Sequence, residues 1–369
     1  MGNAAILRFV CDLVKDWDER RAACFARLVV GLMHAKRLGV AAIGRELPSQ
    51  TTDKHRIKAV DRFLGNKKVE LSPLWVSLLG FAARPGQLLP VLVDWTDLDE
   101  EHEVLVAAVC FGGRSLPVAW ATTKKGDYRR SRNKVETDLC LLVKALLPGG
   151  IDPIFVADRG FCRASYFKAL ARAGLRFVVR IRRDVHLINE HGRGPVSNRR
   201  VRRGHTRDIP EAKYGENARF DVRCVLTFGR GEGKNMPRSP WYLVTNIPPE
   251  ILRAITIVEI YKRRMRIEHN FRDHKSLRFG FQLRAVHLTK PERYDRLLAI
   301  AAIAMLLLVF LGAVVENRGL HRQFKANTDQ RRTHSLFYLG LAFIHRALID
   351  KPRLWIIASC FDGQLEGMG

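Results

Sequence analysis

The chain has 369 residues, 47% of them apolar, and sets 63 Lys and Arg against 37 Asp and Glu, a net charge of +26. That apolar share supports a sizeable core and excludes wholesale disorder. The charge calls for a polyanionic partner, nucleic acid first and an anionic membrane second. Seven scattered cysteines, odd in number and without a C-x-x-C pair, argue against structural zinc or a disulfide framework and fit a reducing, cytoplasmic setting. The N-terminal stretch has no apolar run long enough for a secretory signal.

Residues 1–80 read as a helical DNA-binding region. 21-RAACFARLVVGLMHA-35 has helical apolar spacing, and 39-GVAAIGREL-47 and 54-KHRIKAVDRFLG-65 are short helices separated by a polar loop. The last of these carries Lys54, His55, Arg56, Lys58 and Arg62, which suits a helix lying on a DNA backbone or entering a groove; a solvated basic face is the competing account.

A different rhythm opens at 86 and runs to 182. The apolar run 88-LLPVLVDW-95 predicts a buried strand ending near Asp94, followed by strands over 103–111 and 116–123 across the turn GGRS. An amphipathic helix over 134–148, a strand 153-PIFVAD-158, a helix over 162–174 and a strand over 175–182 complete a β-β-β-α-β-α-β order. That order predicts an α/β fold, a mixed sheet flanked by helices. Residues 183–248 break the rhythm with short strand-like runs and many arginines, a β-rich insertion. The Gly-rich 228-FGRGEGKNMP-237 within it lacks G-K-[ST] and a following helix, so it reads as a hairpin tip or loop rather than a phosphate cradle.

Residues 249–315 return to helix. Their second half, 297-LLAIAAIAMLLLVFLGAVV-315, has nineteen residues without a charge. Length alone would let it cross a membrane. Nothing else in the chain is comparably apolar, so it reads as a buried core helix and no membrane is expected as a partner. A basic helical tail occupies 316–369.

Two strand ends carry an aspartate, Asp94 and Asp158, and 261-YKRRMRIEHNFRDHKS-276 offers a third acid. At about 100° per residue, Tyr261, Arg264, Glu268 and Lys275 fall on one narrow stripe, with Ile260, Ile267 and Phe271 on an adjoining apolar face. Three carboxylates on rigid elements suit Mg²⁺ or Mn²⁺ and two-metal phosphoryl transfer, with the flanking bases left to hold DNA phosphates. Asp97 follows closely and could stand in for Asp94 if the first strand ends later. His269 and His274 are five apart rather than four, so they form no H-E-x-x-H-like zinc face.

The spacing Tyr261-x2-Arg264-x3-Glu268-x6-Lys275 resembles the Y-R-E-K signature of bacterial insertion-sequence DDE transposases of family four. ADRGF at 157–161 and VDWT at 93–96 are similar to that family's segments around its second and first aspartates, and Arg62-Phe63-Leu64 with Asn66 resembles an element of its N-terminal region. The resemblance covers roughly residues 40–310. It implies an RNase H-like core interrupted by a β insertion, and a catalytic, metal-holding set of Asp94, Asp158 and Glu268. Mg²⁺, with Mn²⁺ as an alternative, is the implied cofactor. It implies DNA contacts from Tyr261, Arg264, Lys275, Arg180 and Arg62. Trp241 matches a tryptophan that stacks on a flipped base in cut-and-paste relatives, and a core tryptophan is the equal alternative.

The implied activity is cleavage at transposon ends and transfer of the 3′-hydroxyl to target DNA, through a hairpin intermediate if Trp241 acts as in those relatives. The implied partners are double-stranded DNA with terminal inverted repeats, target DNA and a second copy of the chain in the DNA complex, in a bacterial cytoplasm near the nucleoid. The alternative is a catalytically inactive DNA-binding derivative acting as a repressor of transposition. An intact acid trio favours the enzyme, since a pure binder has no use for three acids held against DNA phosphates.

Overall fold

Hydrogen bonding between strands far apart in the chain decides where the acids lie. In the computed structural model the described residues run from 2 to 349, apart from 85, 128–131, 191, 217–219, 230–238, 277–279, 284–285, 327 and 329–332. Most of the Gly-rich run at 228–237, Cys360 and the tail beyond 349 lie outside the described residues.

The N-terminal part is helical: α1 (Gly2–Leu13), α2 (Glu19–Ala35), α3 (Val40–Arg45), α4 (Asp53–Gly65) and α5 (Ser72–Ala82). Asp18 starts α2 by accepting from the Arg21 amide at 3.2 Å, satisfying one of the free N–H groups of the first turn. In α4 the apolar residues Val60, Phe63 and Leu64 are buried while Lys54, His55, Lys58 and Arg62 stay exposed.

The sheet begins with β1 (Leu88–Asp97), β2 (His102–Phe111) and β3 (Arg114–Lys124), an antiparallel meander. After α6 (Arg132–Leu146), β4 (Asp152–Ala157) returns parallel to β1, and after α7 (Ala164–Arg172), β5 (Arg176–Arg180) lies parallel to β4. These match the predicted order and give the expected mixed sheet. The strands of 183–248 do something the sequence did not indicate. β6 (His186–Asn189), β7 (Gly192–Pro195), β8 (Thr206–Tyr214), β9 (Phe220–Thr227) and β10 (Trp241–Thr245) continue the same sheet, because β10 pairs antiparallel with the free edge of β5. The result is one ten-stranded sheet in the order β3-β2-β1-β4-β5-β10-β9-β8-β6-β7. A half-buried ion pair secures the extension: Arg223 donates to both Asp208 oxygens, at 2.9 and 2.7 Å, and to the Leu252 carbonyl at 2.6 Å.

The second difference concerns the stripe over 261–275. The helix there is in two pieces, α8 (Ala254–Lys262) and α9 (Met265–Lys275). At the junction the amides of Arg263, Arg264, Arg266 and Ile267 reach back three residues, so the backbone tightens locally toward 3₁₀ geometry. No Gly or Pro marks the change.

The last helices are α10 (Pro291–Asn317) and α11 (Leu336–Ile349). Among the described residues α10 is the one helix long and apolar enough to cross a membrane by length and composition, and it is largely buried inside the protein. It packs on β3, α2, α4 and α11. The approach of α11 is close enough that a Cβ on Gly312 would lie 1.9 Å from the Leu336 carbonyl oxygen. Only glycine allows that contact.

One carboxylate is partly buried at the start of α10. Asp295 accepts from the Thr122 amide at 3.1 Å, and burial pushes its carboxyl up to about 7. The folded state therefore holds a proton that the unfolded chain has released, and this stability is lost as pH rises from about 4 to about 7. Asp295→Asn keeps the acceptor and removes the titration. By denaturant unfolding, the variant is expected to exceed the native chain by at least about 1 kcal/mol at pH 8, with the gap closing near pH 4.

Candidate active site

β1 and β4 pair in parallel, and their last matched residues are Val93 and Ala157. The next residues are aspartates: Asp94, where β1 does not end as expected but runs on to Asp97, and Asp158, just past the end of β4, so the two acids stand side by side. Asp158 then caps a short 3₁₀ turn over Arg159–Phe161, its Oδ1 accepting from the Gly160 amide at 2.6 Å. A Cβ at Gly160 would lie 2.9 Å from that same oxygen, so any larger residue there would push the Asp158 carboxylate aside. The Asp94 Oδ1 accepts from the Trp95 amide at 3.0 Å.

Glu268 arrives from the first turn of α9. Arg264, at the junction with α8, bonds both acids: its Nη1 donates to Asp94 Oδ2 at 3.1 Å and its Nη2 to Glu268 Oε1. The Arg264 side chain is 10% exposed and that of Asp94 17%. Burial pushes the Asp94 carboxyl up to about 6; Arg264 opposes the shift, while the charges of Asp158 and Glu268 add to it. Asp94 thus feels both other acids.

The bases and aromatics gather on the same spot. Tyr261 is buried and its ring meets Trp241 edge-on at 5.2 Å, while the Arg180 guanidinium sits 5.9 Å from the Trp241 ring centre. The Leu243–Arg180 pairing between β10 and β5 sets that juxtaposition. Burial raises the Tyr261 hydroxyl above its ordinary value, against the pull of Arg264 and Arg180. Lys275 donates to the Thr96 hydroxyl at 2.6 Å, two residues beyond Asp94. The residues of the stripe are therefore brought together in space although the helix beneath them is broken.

Two sequence candidates lie apart. Arg62 is exposed on α4, whose buried face packs on α10. Asp97 is exposed at the end of β1 and paired with Lys125 at 2.9 Å, so the position facing Asp158 belongs to Asp94. Of the histidines on α9, His269 is held below its usual value by burial and by Arg114 and Arg272, and the side chain of His274 lies outside those described. A cavity of about 730 Å³ lies elsewhere, in the sheet extension among Glu190, Glu211, Lys213, Arg223 and Glu250, and none of the acid trio lines it.

A divalent cation can be weighed against these side chains. The donors are all carboxylate oxygens, the hard ligands that Mg²⁺ and Mn²⁺ take. The shift at Asp94 comes first from burial, with the charges of Asp158 and Glu268 adding to it against the pull of Arg264. As the side chains stand, no three His, Cys, Asp or Glu among the described residues are grouped closely enough to hold a metal ion. Arg264 accounts for this at two of the three acids, since it draws Asp94 and Glu268 onto itself. The chemistry fits; the present arrangement is an acid cluster gathered on an arginine.

The transposase DDE domain matches residues 110–307, more than half of the chain. The chain belongs to that family. Its domain is that of a transposase, an enzyme acting on DNA. The matched span takes in Asp158, Arg180, Trp241 and Tyr261 through Lys275, and starts after β1 and Asp94. No curated protein matches the chain.

If Arg264 is the common counter-ion of the transposase's acids, charge alone will not replace it. Lysine cannot reach two carboxylates in a fork. Arg264→Lys is expected to cost about 1–3 kcal/mol in urea unfolding at pH 8.

Proposed function

We propose that this transposase belongs to the insertion-sequence subgroup carrying the Y-R-E-K signature, with an RNase H-like catalytic core. It cleaves DNA at transposon ends and joins the freed 3′-hydroxyl to target DNA. The observation that carries this reading is the meeting of Asp94, Asp158 and Glu268 beside Tyr261, Arg264, Arg180 and Trp241, four residues that can engage a nucleotide.

In this reading the three carboxylates hold Mg²⁺, or Mn²⁺. When bound, such ions activate the attacking oxygen and stabilise the leaving one in phosphoryl transfer. The protein's own part is positioning. β1 and the end of β4 fix Asp94 and Asp158, and α9 carries Glu268. Arg264 is the charge reserve: bonded to Asp94 and Glu268 here, its guanidinium suits bidentate contact with a phosphate once those acids take up metal. Arg180 and Lys275 flank the acids and add phosphate contacts, and Arg62 serves a separate DNA surface on α4.

Trp241 is half-buried against Tyr261 and Arg180, which supports a stacking platform for a base drawn out of the duplex and hence a hairpin intermediate. The partners are DNA bearing terminal inverted repeats, target DNA and a second copy of the chain, in the cytoplasm near the nucleoid.

A cleavage assay on terminal-repeat DNA with Mg²⁺ tests the reading. The native chain is expected to cut, and Glu268→Gln to bind the same DNA while losing about 10³-fold or more in rate. Binding without cutting by the native chain would favour a repressor derived from the scaffold; cutting by Glu268→Gln would mean the metal ligands lie elsewhere. Trp241→Ala is expected to lower hairpin yield on the same substrate while first-strand nicking persists, resolved on denaturing gels.

A further inference from the structure

The residue next to Asp94 faces the other way. Alternation along β1 sends the Trp95 side chain to the opposite side of the sheet from Asp94. There its Nε1–H donates to Glu136 Oε1 at 2.8 Å. Glu136 lies on α6 with its side chain 1% exposed, among Leu139, Cys140 and Val143. Its other oxygen takes the guanidinium of Arg163, and Arg163 Nη1 donates to the Gly160 carbonyl at 2.7 Å. Gly160 is the residue whose amide holds Asp158 Oδ1.

A continuous chain of bonds therefore runs from Asp94 through Trp95, Glu136, Arg163 and Gly160 to Asp158. One further contact keeps the indole in place: the Arg132 guanidinium lies 4.6 Å from the Trp95 ring centre and donates to Glu103 on β2 at 2.9 Å.

A buried carboxylate is an expensive way to pin a helix. An apolar residue of similar volume would cover this part of α6 with no desolvation to offset, and replacing buried ion pairs by such residues is often neutral or stabilising. What an apolar residue cannot do is fix two separate donors at a set distance from one another. Here the two donors lead to the backbone segments that carry the two aspartates.

We propose that Glu136 is a positioning residue: through Trp95 on one side and Arg163 with Gly160 on the other, it sets the separation of Asp94 and Asp158. The inference rests on the reading of those aspartates as the metal-holding pair. A metal ligand depends on the groups bonded behind it, and losing such a group typically weakens metal affinity about 10–100-fold. A misplacement of about 1 Å costs about 10²-fold in rate.

Glu136→Gln keeps size and one acceptor while removing the charge that Arg163 faces. The expected result is a split. Terminal-repeat DNA binds within about twofold of the native affinity while turnover falls about 10²-fold. Mn²⁺ alone, added to the DNA-free protein and followed by calorimetry, binds about tenfold more weakly. Trp95→Phe breaks the same chain at another link, so it reproduces the split if the glutamine variant does not fold, and in the double variant the two losses do not multiply.

Native turnover and Mn²⁺ affinity in Glu136→Gln would overturn the proposal, as would equal losses of DNA binding and turnover, or multiplying losses in the double variant. Failure of the native chain to cleave or to bind Mn²⁺ would instead bring down the reading of the aspartates, and this inference with it.

Discussion

Parallel pairing of β1 with β4 is the constraint on which the site depends. It makes two aspartates that are far apart in the chain into neighbours at one edge of a buried layer. Burial first, and then the like charges of Asp158 and Glu268, raise the Asp94 carboxyl. The fold meets the cost with Arg264, which enters from the helix junction and also takes hold of Glu268. Acid convergence is thus a property of the scaffold, produced by strand register and helix docking together, and the stability spent on it is the kind commonly found where chemistry is done.

Docking of α9 shows the same economy from the other side. Asn270 is buried and gives its amide to the Ser115 carbonyl, and Asp273 receives Arg114 at 2.7 Å, so polar residues on α9 are tied to the start of β3. Glu268 and Arg264 are left to the acid cluster. The motif between 261 and 275 therefore holds two sets of residues, one facing the aspartates and one fastening the helix.

Much of this was legible in the chain. An apolar run followed by an acid picked out Asp94 and Asp158, although β1 runs three residues past Asp94, and the three-strand meander with two crossovers follows from hydrophobic rhythm. The residues of the stripe could be paired with the aspartates because family resemblance supplied what spacing alone could not.

Other features were hidden for physical reasons. The break at Arg263 and Arg264 has no helix-breaking residue to announce it; it falls where Arg264 reaches across to Asp94. Continuation of the sheet through β10 depends on an edge pairing between Leu243 and Arg180, which no local pattern encodes. Glu136 looked like any acid on an amphipathic helix, because its partners, Trp95 and Arg163, come from elsewhere in the fold. Its position among the apolar residues of α6 was the one available hint.

The burial of α10 bears on how such a chain survives its own synthesis. Its covering surfaces on α2, α4 and β3 all leave the ribosome before it, while α11 leaves after. The greasiest helix therefore emerges to find part of its seat already built, and waits for α11, its largest partner, whose backbone rides directly over Gly312. A nascent chain interrupted between the two helices would present that uncovered strip to its neighbours, with association rather than completion as the outcome.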